Sequence, residues 1–236
     1  MILAGHPGVR ALRHRNYRLF FTGQLISLIG TWTQQVGEAW LVLQLTHDPL
    51  WLGLVSVAQF APVIVFGLFG GVIADQLPKR RTLMVTQAFA MAISLTLFAL
   101  TAAHLITVWQ ILVLALLSGV RNAFDMPTRQ AFAVEMVGRE DIGNAVAMNS
   151  AMFNGARIVG PAVAGLAIGA FDVSIAFLID GISFLAVLII PDEVRMKFYS
   201  GNLISGLARH VVGPQLLRLA LETFVVVVGF LILAGA

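Results

Sequence analysis

The sequence predicts an all-α integral membrane protein with six transmembrane helices, and three observations carry that expectation. Of the 236 residues, 58% are hydrophobic and only 11% charged, against about 25% charged in ordinary soluble domains. A soluble chain of this size could not cover its surface with so few charges. The apolar residues gather in runs of roughly 20, the length that crosses a bilayer as a helix. The lysines and arginines fall in alternate gaps between those runs, as the positive-inside rule requires.

The elements follow in order. A leader at 1–18 carries Arg10, Arg13, Arg15 and Arg18 and has no compact apolar core before a small-residue cleavage site, so it does not read as a cleaved signal peptide. The first helix is expected at 19–45, and a cation-free turn leads to the second at 50–73. Lys79, Arg80 and Arg81 follow, then a third helix at 83–103, a second cation-free turn and a fourth helix at 106–124. Arg129 and Arg139 lie in the next gap, before a fifth helix at 145–171 and a sixth at 173–190. Arg195 and Lys197 come after it. This alternation puts the N-terminus and the gaps after the second and fourth helices in the cytoplasm, with very short turns on the other side. Barrel strands are excluded because the runs are too long and too uniformly apolar to alternate.

After residue 190 the pattern weakens. "PDEVRMKFYSGN" is polar, Arg209 and Arg218 flank a Gly-Pro pair, and the last apolar run, 224–236, stops without a polar tail. It is short of a full span and reads as an incomplete seventh hydrophobic segment, an ending that points to truncation. The chain therefore divides into the leader 1–18, the six-helix unit 19–190 and an atypical tail 191–236.

Charges inside hydrocarbon are costly, so each needs a reason. In the first helix Ser27, Gly30, Gln34 and Glu38 share one face, with Gly23 extending it and Gln35 beside it. That face should look into a bundle or an aqueous cavity. Gln34 and Glu38 are candidate cavity residues that contact substrate or, for Glu38, carry a proton; helix packing through small and polar residues is the alternative. Arg121 and Asp125 are four residues apart at one end of the fourth helix and can pair across one turn. Arg157 shares a face of the fifth helix with Ser150, Asn154 and Pro161, and its partner must come from elsewhere, from Asp75, Asp125 or Asp180. Arg121, Asp125, Arg157 and Asp180 are thus a candidate buried charge network, and Asn154 joins Gln34 and Glu38 as a cavity candidate. In "GARIVGPAVAG", Pro161 can bend the helix while Gly155, Gly160 and Gly165 allow close helix contact.

Several functions are excluded or unsupported. Net charge is +3, but the cations separate apolar runs and serve topology, so no nucleic-acid partner is expected. With no cysteine, disulfides and thiolate metal sites are ruled out. No histidine pair has metal-ligand spacing, and no nucleophile elbow, phosphate loop or zinc-protease motif occurs. Neither enzyme activity nor a cofactor or metal is expected.

The stretch "GGVIADQLPKRR" after the second helix resembles the signature loop of the major facilitator superfamily, with Gly71, Asp75, Lys79, Arg80 and Arg81 at its marked positions. Pro78 stands where many members have Gly, and Gln76 where many have a basic residue. The leader through "GTWTQQVGEAWLVLQLT" and the stretch "RNAFDMPTRQAFAVEMVGREDIGNAVAMNSAMFNGARIVGPAVAGL" look like the branch with the bacterial enterobactin-type exporters. "RIVGP" is similar to a fifth-helix motif of antiporters and exporters. The resemblance covers roughly 8–190 and implies one half of a major facilitator fold, in which two six-helix halves rock about a central site. It implies Asp75 as a cytoplasmic latch, Arg80 or Arg81 as its partner, and Arg121 as the fourth-helix arginine near it, although the motif around Arg121 departs from the usual one. The implied function is the N-terminal half of a gradient-driven exporter in the bacterial plasma membrane, inactive alone. Its partners would be the lipid bilayer, a small-molecule substrate and protons, with either a missing C-terminal half or a second copy completing the site. The segment from Asn202 on faintly resembles an amino acid–polyamine–cation permease, which implies a hybrid reading frame. The alternatives are a six-helix unit that homodimerises into a transporter or channel, and a non-functional truncated product.

Overall fold

In the computed structural model the apolar runs become helices that begin and end on identifiable local chemistry. The structure describes residues 7–76, 78–137 and 139–188, with side chains from Arg10 on except those of 68–76 and 139. A 3-10 turn at Pro7–Arg13 precedes α1 (Arg15–Thr46), α2 (Pro49–Gln76), α3 (Lys79–Ala102), α4 (Val108–Glu135), α5 (Ile142–Ala170), α6 (Val173–Ser183) and the single turn α7 (Leu185–Leu188). The predicted tail and its apolar run lie outside the described residues.

The two tight turns predicted to lack cations each rest on a histidine. His47 ends α1 at φ 54°, donating its backbone N–H to Leu43, and His104 follows α3 at φ 57°. The left-handed region disfavours most L-residues, with histidine among the better tolerated. Thr107 and Gln110 then open α4 with a reciprocal capping box, Thr107 N–H donating to Gln110 Oε1 at 2.8 Å. Asp172 caps α6 by accepting from the Ser174 backbone N–H at 3.1 Å, which holds its carboxyl below the usual carboxylate range. Asp172→Ala should therefore cost about 1 kcal/mol, read by thermal unfolding in detergent. Because the folded-state pKa is lowered, the contribution is present above about pH 4 and is lost as pH falls through the depressed value; the alanine variant should lack that part of the acid dependence.

Three boundaries differ from the sequence expectation. α1 starts at Arg15, inside the predicted leader. Residues 10–14 of the leader dock at the start of α5: Ala11 N–H donates to Asn144 Oδ1 at 2.8 Å, and Arg10 and His14 contact Asp141 at 3.3 and 3.1 Å. The basic triplet sits on the first turn of α3, with only residues 77 and 78 between helices, so the expected loop is nearly absent. α4 runs on to Glu135 rather than stopping at 124, which puts Arg129 in a helix and not in a loop. Proline inside α4 removes only its own backbone bond, and Thr128 Oγ1 donates to Phe124 O at 2.7 Å on the same turn.

Four of the helices, including α3, α4 and α5, are long and apolar enough to cross a membrane, and Val173–Leu188 forms a shorter apolar stretch. α1 is long enough but dilutes its hydropathy with buried Gln24, Ser27, Thr33, Gln34 and Glu38. Packing pairs α2 with α4, α1 with α5 and α6, and α3 with α4 and α6. The buried apolar residues form three clusters, two of them larger and at opposite ends. One end holds Leu41, Val42, Ile93, Leu97, Ile111 and Phe177; the other holds Tyr17, Phe20, Leu83, Ala133 and Val137. A small third cluster, Leu28, Met152 and Ala156, joins α1 to α5; along α1 the buried polar residues Gln24 to Glu38 fall between the two end clusters, and the site begins there.

Candidate functional site

The middle layer is built from side chains that five helices, α1, α2, α3, α4 and α6, turn inward. Glu38, 2% exposed, receives a hydrogen bond on each carboxylate oxygen: Gln34 Nε2 donates to Oε1 at 2.8 Å, and Gln59 Nε2 of α2 donates to Oε2 at 2.8 Å. The first donor is one turn back on the same helix; the second ties α1 to α2. Gln34 and Gln59 line a small polar pocket shared with Ser94, Arg121, Asn122 and Asp180. Asp180 is buried on α6 and accepts from Ser94 Oγ at 2.6 Å. Gly30 lets α6 come this close: a Cβ there would lie 2.8 Å from Asp180 Oδ1 and would collide with the Ser183 side chain. Gln35 lines the pocket, half-buried.

The charges do not pair as expected. Asp125, fully buried, is bound by Arg129 Nη2 at 2.6 Å, by Thr86 Oγ1 at 2.7 Å and by Gln87 Nε2 at 3.3 Å. It therefore pairs one turn forward with Arg129, not one turn back with Arg121. Arg121 instead hydrogen-bonds its neighbour Asn122 and stands 6.0 Å from the centroid of the Phe184 ring. The expected buried network also loses Arg157. That residue is exposed on α5, and its guanidinium lies 5.6 Å from the Trp32 ring centroid, with no carboxylate at ion-pair distance among the described residues. The reason is helical register: Ala156 and Gly160 are the residues α5 buries at this level, and Arg157 lies to one side of them, at the edge of the contact with α1. Asn154 is likewise exposed and donates to Ser150 O of its own helix at 2.9 Å, apart from Gln34 and Glu38.

The glycines of the fifth helix separate too. A Cβ on Gly160 would meet Trp32 Cβ and lie 3.0 Å from the Ile29 carbonyl, whereas Gly155 and Gly165 face nothing within 4 Å. α5 is continuous through Pro161. The side chain of Asp75 lies outside the described residues, as does the surroundings of Gly71; both fall near the end of α2. Of the basic triplet, Lys79 pairs with Glu135 at the end of α4.

Gln59, Ser94, Thr86, Gln87 and Arg129 were not anticipated. A lone glutamine in the otherwise apolar α2 run was the available signal for Gln59; Arg129 was hidden by its assignment to a loop.

A family model described as transmembrane secretion effector, within the major facilitator transporters, matches residues 7–207. The chain belongs to that family. Its members are multi-pass membrane transporters of bacteria, not enzymes. Among curated relatives, the staphyloferrin A transporter of Staphylococcus aureus is 30% identical over 174 residues, 73% of this chain and 44% of the relative. Macrolide efflux protein A of Streptococcus pyogenes is 24% identical over 173 residues, 71% of this chain and 42% of the relative. The multidrug efflux pump Tap of Mycolicibacterium fortuitum is 31% identical over 138 residues, 56% of this chain and 34% of the relative. This major facilitator chain thus spans well under half the length of the relatives it matches. No solved structure matches it significantly.

Proposed function

We propose that the chain forms the N-terminal half of a gradient-driven exporter of small molecules, crossing the bacterial plasma membrane six times with its N-terminus in the cytoplasm. The observation that carries this reading is the carboxylate of Glu38, enclosed in the middle of a transporter-family bundle and held by amides from two helices. Among the described residues, the buried layer sets three carboxyl groups, Glu38, Asp125 and Asp180, against two guanidinium groups, Arg121 and Arg129. A buried net charge is expensive, so one carboxyl is balanced by taking up a proton. Two of the three, Glu38 and Asp180, are bonded to neutral donors rather than to a cation, and Glu38 is the one taken as the proton site because its bonds tie α1 to α2. Its protonation would weaken the hold on Gln59 and so link the site to α2, whose far end carries Asp75 as a latch toward the second half. Distribution of the cations supports the orientation, and the efflux proteins among the relatives support export.

The test is reconstitution in liposomes. The chain alone should move no substrate, because the site forms between two halves. Joined to a complementary second half it should export a fluorescent drug under an imposed proton gradient. In that joined form Glu38→Gln should keep assembly and lose at least about tenfold of the gradient-driven rate, as expected for an essential proton site. Gradient-driven transport by the chain alone would overturn the reading and favour a homodimer. An unchanged rate and pH dependence in Glu38→Gln would remove Glu38 from the site.

A further inference from the structure

Arg157 stands near the middle of the 29-residue α5, one of the helices long and apolar enough to span a membrane. At 1.5 Å rise per residue, either helix end is about 20 Å away, beyond the reach of a snorkelling side chain. A guanidinium at that depth cannot face lipid without a large cost. Yet it is exposed, and none of the described carboxylates pairs with it.

Two lines of side chains can be followed along the outer side of α5. Ser150, Asn154, Arg157 and Pro161 follow i, i+4, i+7 and i+11 spacing on one line. Ala151, Ile158, Ala162 and Leu166 form a second line about a quarter-turn away, with Ile158 76% and Leu166 75% exposed. The second suits lipid and the first does not. The polar stripe borders α1, where Trp32 lies between the Phe153 ring, edge-on at 5.6 Å, and the Arg157 guanidinium, also at 5.6 Å. Gln35, one turn on from Trp32, lines the pocket that holds Gln34, Gln59 and Arg121. Trp32 thus links the stripe to the pocket along one turn of α1, Thr31 and Gln35 lining the pocket on either side of it in sequence.

We propose that Arg157, held by Trp32, is a carboxylate-binding subsite on the substrate path, so that the transported molecules include carboxylate-bearing anions. This rests on the half-transporter reading. A guanidinium over an indole at 5.6 Å keeps N–H donors free, and a guanidinium edge matches a carboxylate in bidentate geometry. The ring also limits the rotamer freedom lost on binding. Placement beside the pocket, rather than on the apolar stripe, favours a small molecule over an acidic side chain of a companion bundle.

The test uses the purified chain in nanodiscs, with Trp40, Trp51 and Trp109 changed to Phe so that Trp32 is the sole indole, and with calorimetry on the unmodified chain as a second readout. Citrate is the probe, with sulfate, glycerol and tetramethylammonium as comparators. The expected result is a saturable change of Trp32 fluorescence with citrate, weakened at least about tenfold by Arg157→Gln and weakened less by Arg157→Lys, which keeps the charge but not the two-pronged donor edge. Glycerol and tetramethylammonium should give no response. A citrate response unchanged in Arg157→Gln, no saturable citrate response by either readout, or an equal response to sulfate would overturn the assignment. Transport does not enter the measurement. Arg157-dependent citrate binding in a chain that never completes an exporter would keep the subsite and sink the transport reading, and the opposite pattern would do the reverse.

Discussion

Asp125→Ala should lower the stability of the chain by about 3–5 kcal/mol. The carboxylate is fully buried and gathers three donors, from Arg129, Thr86 and Gln87, on two different helices. Removing it leaves the Arg129 guanidinium, whose side chain is only 14% exposed, without its ion-pair partner in a low-dielectric layer. It also leaves the Gln87 amide on α3 unmatched, at its own desolvation cost, while the Thr86 hydroxyl can still donate to Leu83 O, 3.0 Å away. The penalty comes from stranding these groups more than from losing attraction. Asp125→Leu combined with Arg129→Leu should therefore recover a large part of the loss, since a buried pair replaced by apolar residues is often neutral. Lys79→Ala is the contrasting case. Its partner Glu135 is 48% exposed, and an exposed pair contributes about 0–1 kcal/mol. The measurement is reversible unfolding in mixed micelles. A loss under about 1 kcal/mol in Asp125→Ala, or no recovery in the double variant, would show that the layer is hydrated rather than closed.

The same residues show what the sequence made legible. Helix number and most boundaries followed from hydrophobic runs and alternating cations, because bilayer length and loop charge act locally along the chain. The inward face of α1 was legible for the same reason: Ser27, Gly30, Gln34 and Glu38 repeat at helical spacing and are buried. Pairing was not legible. Asp125 has a possible cation one turn away in each direction, and spacing alone cannot choose between Arg121 and Arg129. The choice fell to α4 continuing past Pro127, which brings Arg129 to Asp125 beside Thr86 and Gln87 of α3. Arg157 failed for a related reason. A cation in an apolar helix reads as buried and paired, but the register of α5 is set by Gly160 against α1, and that contact turns Arg157 outward. The partner Gln59 gives Glu38 comes from another helix, and nothing in the α1 sequence specifies it.

Gly160→Leu should be the most damaging change in the fifth-helix motif, costing about 3 kcal/mol or more, while Gly155→Ala and Gly165→Ala should be neutral or stabilising by up to about 1 kcal/mol. All three glycines read alike in sequence, yet only Gly160 sits where α5 crosses α1. A side chain there meets Trp32 Cβ, the Ile29 carbonyl at 3.0 Å and the Thr33 amide at 3.2 Å. Two of these atoms are backbone and cannot rotate away, so the helices must separate. Separation would also break the bond from Thr33 Oγ1 to Gly160 O, 3.1 Å, and withdraw Trp32 from Arg157. Gly155 and Gly165 have open space in front of them, so alanine there adds helix propensity at no steric cost within this bundle. The outcome is read as unfolding midpoint together with Trp32 fluorescence, which should shift in Gly160→Leu and stay unchanged in the other two. If Gly155→Ala or Gly165→Ala instead spares the stability of this chain but blocks its association with a second six-helix unit, those positions face that unit. The motif would then divide its work, one glycine closing the half and two admitting its partner.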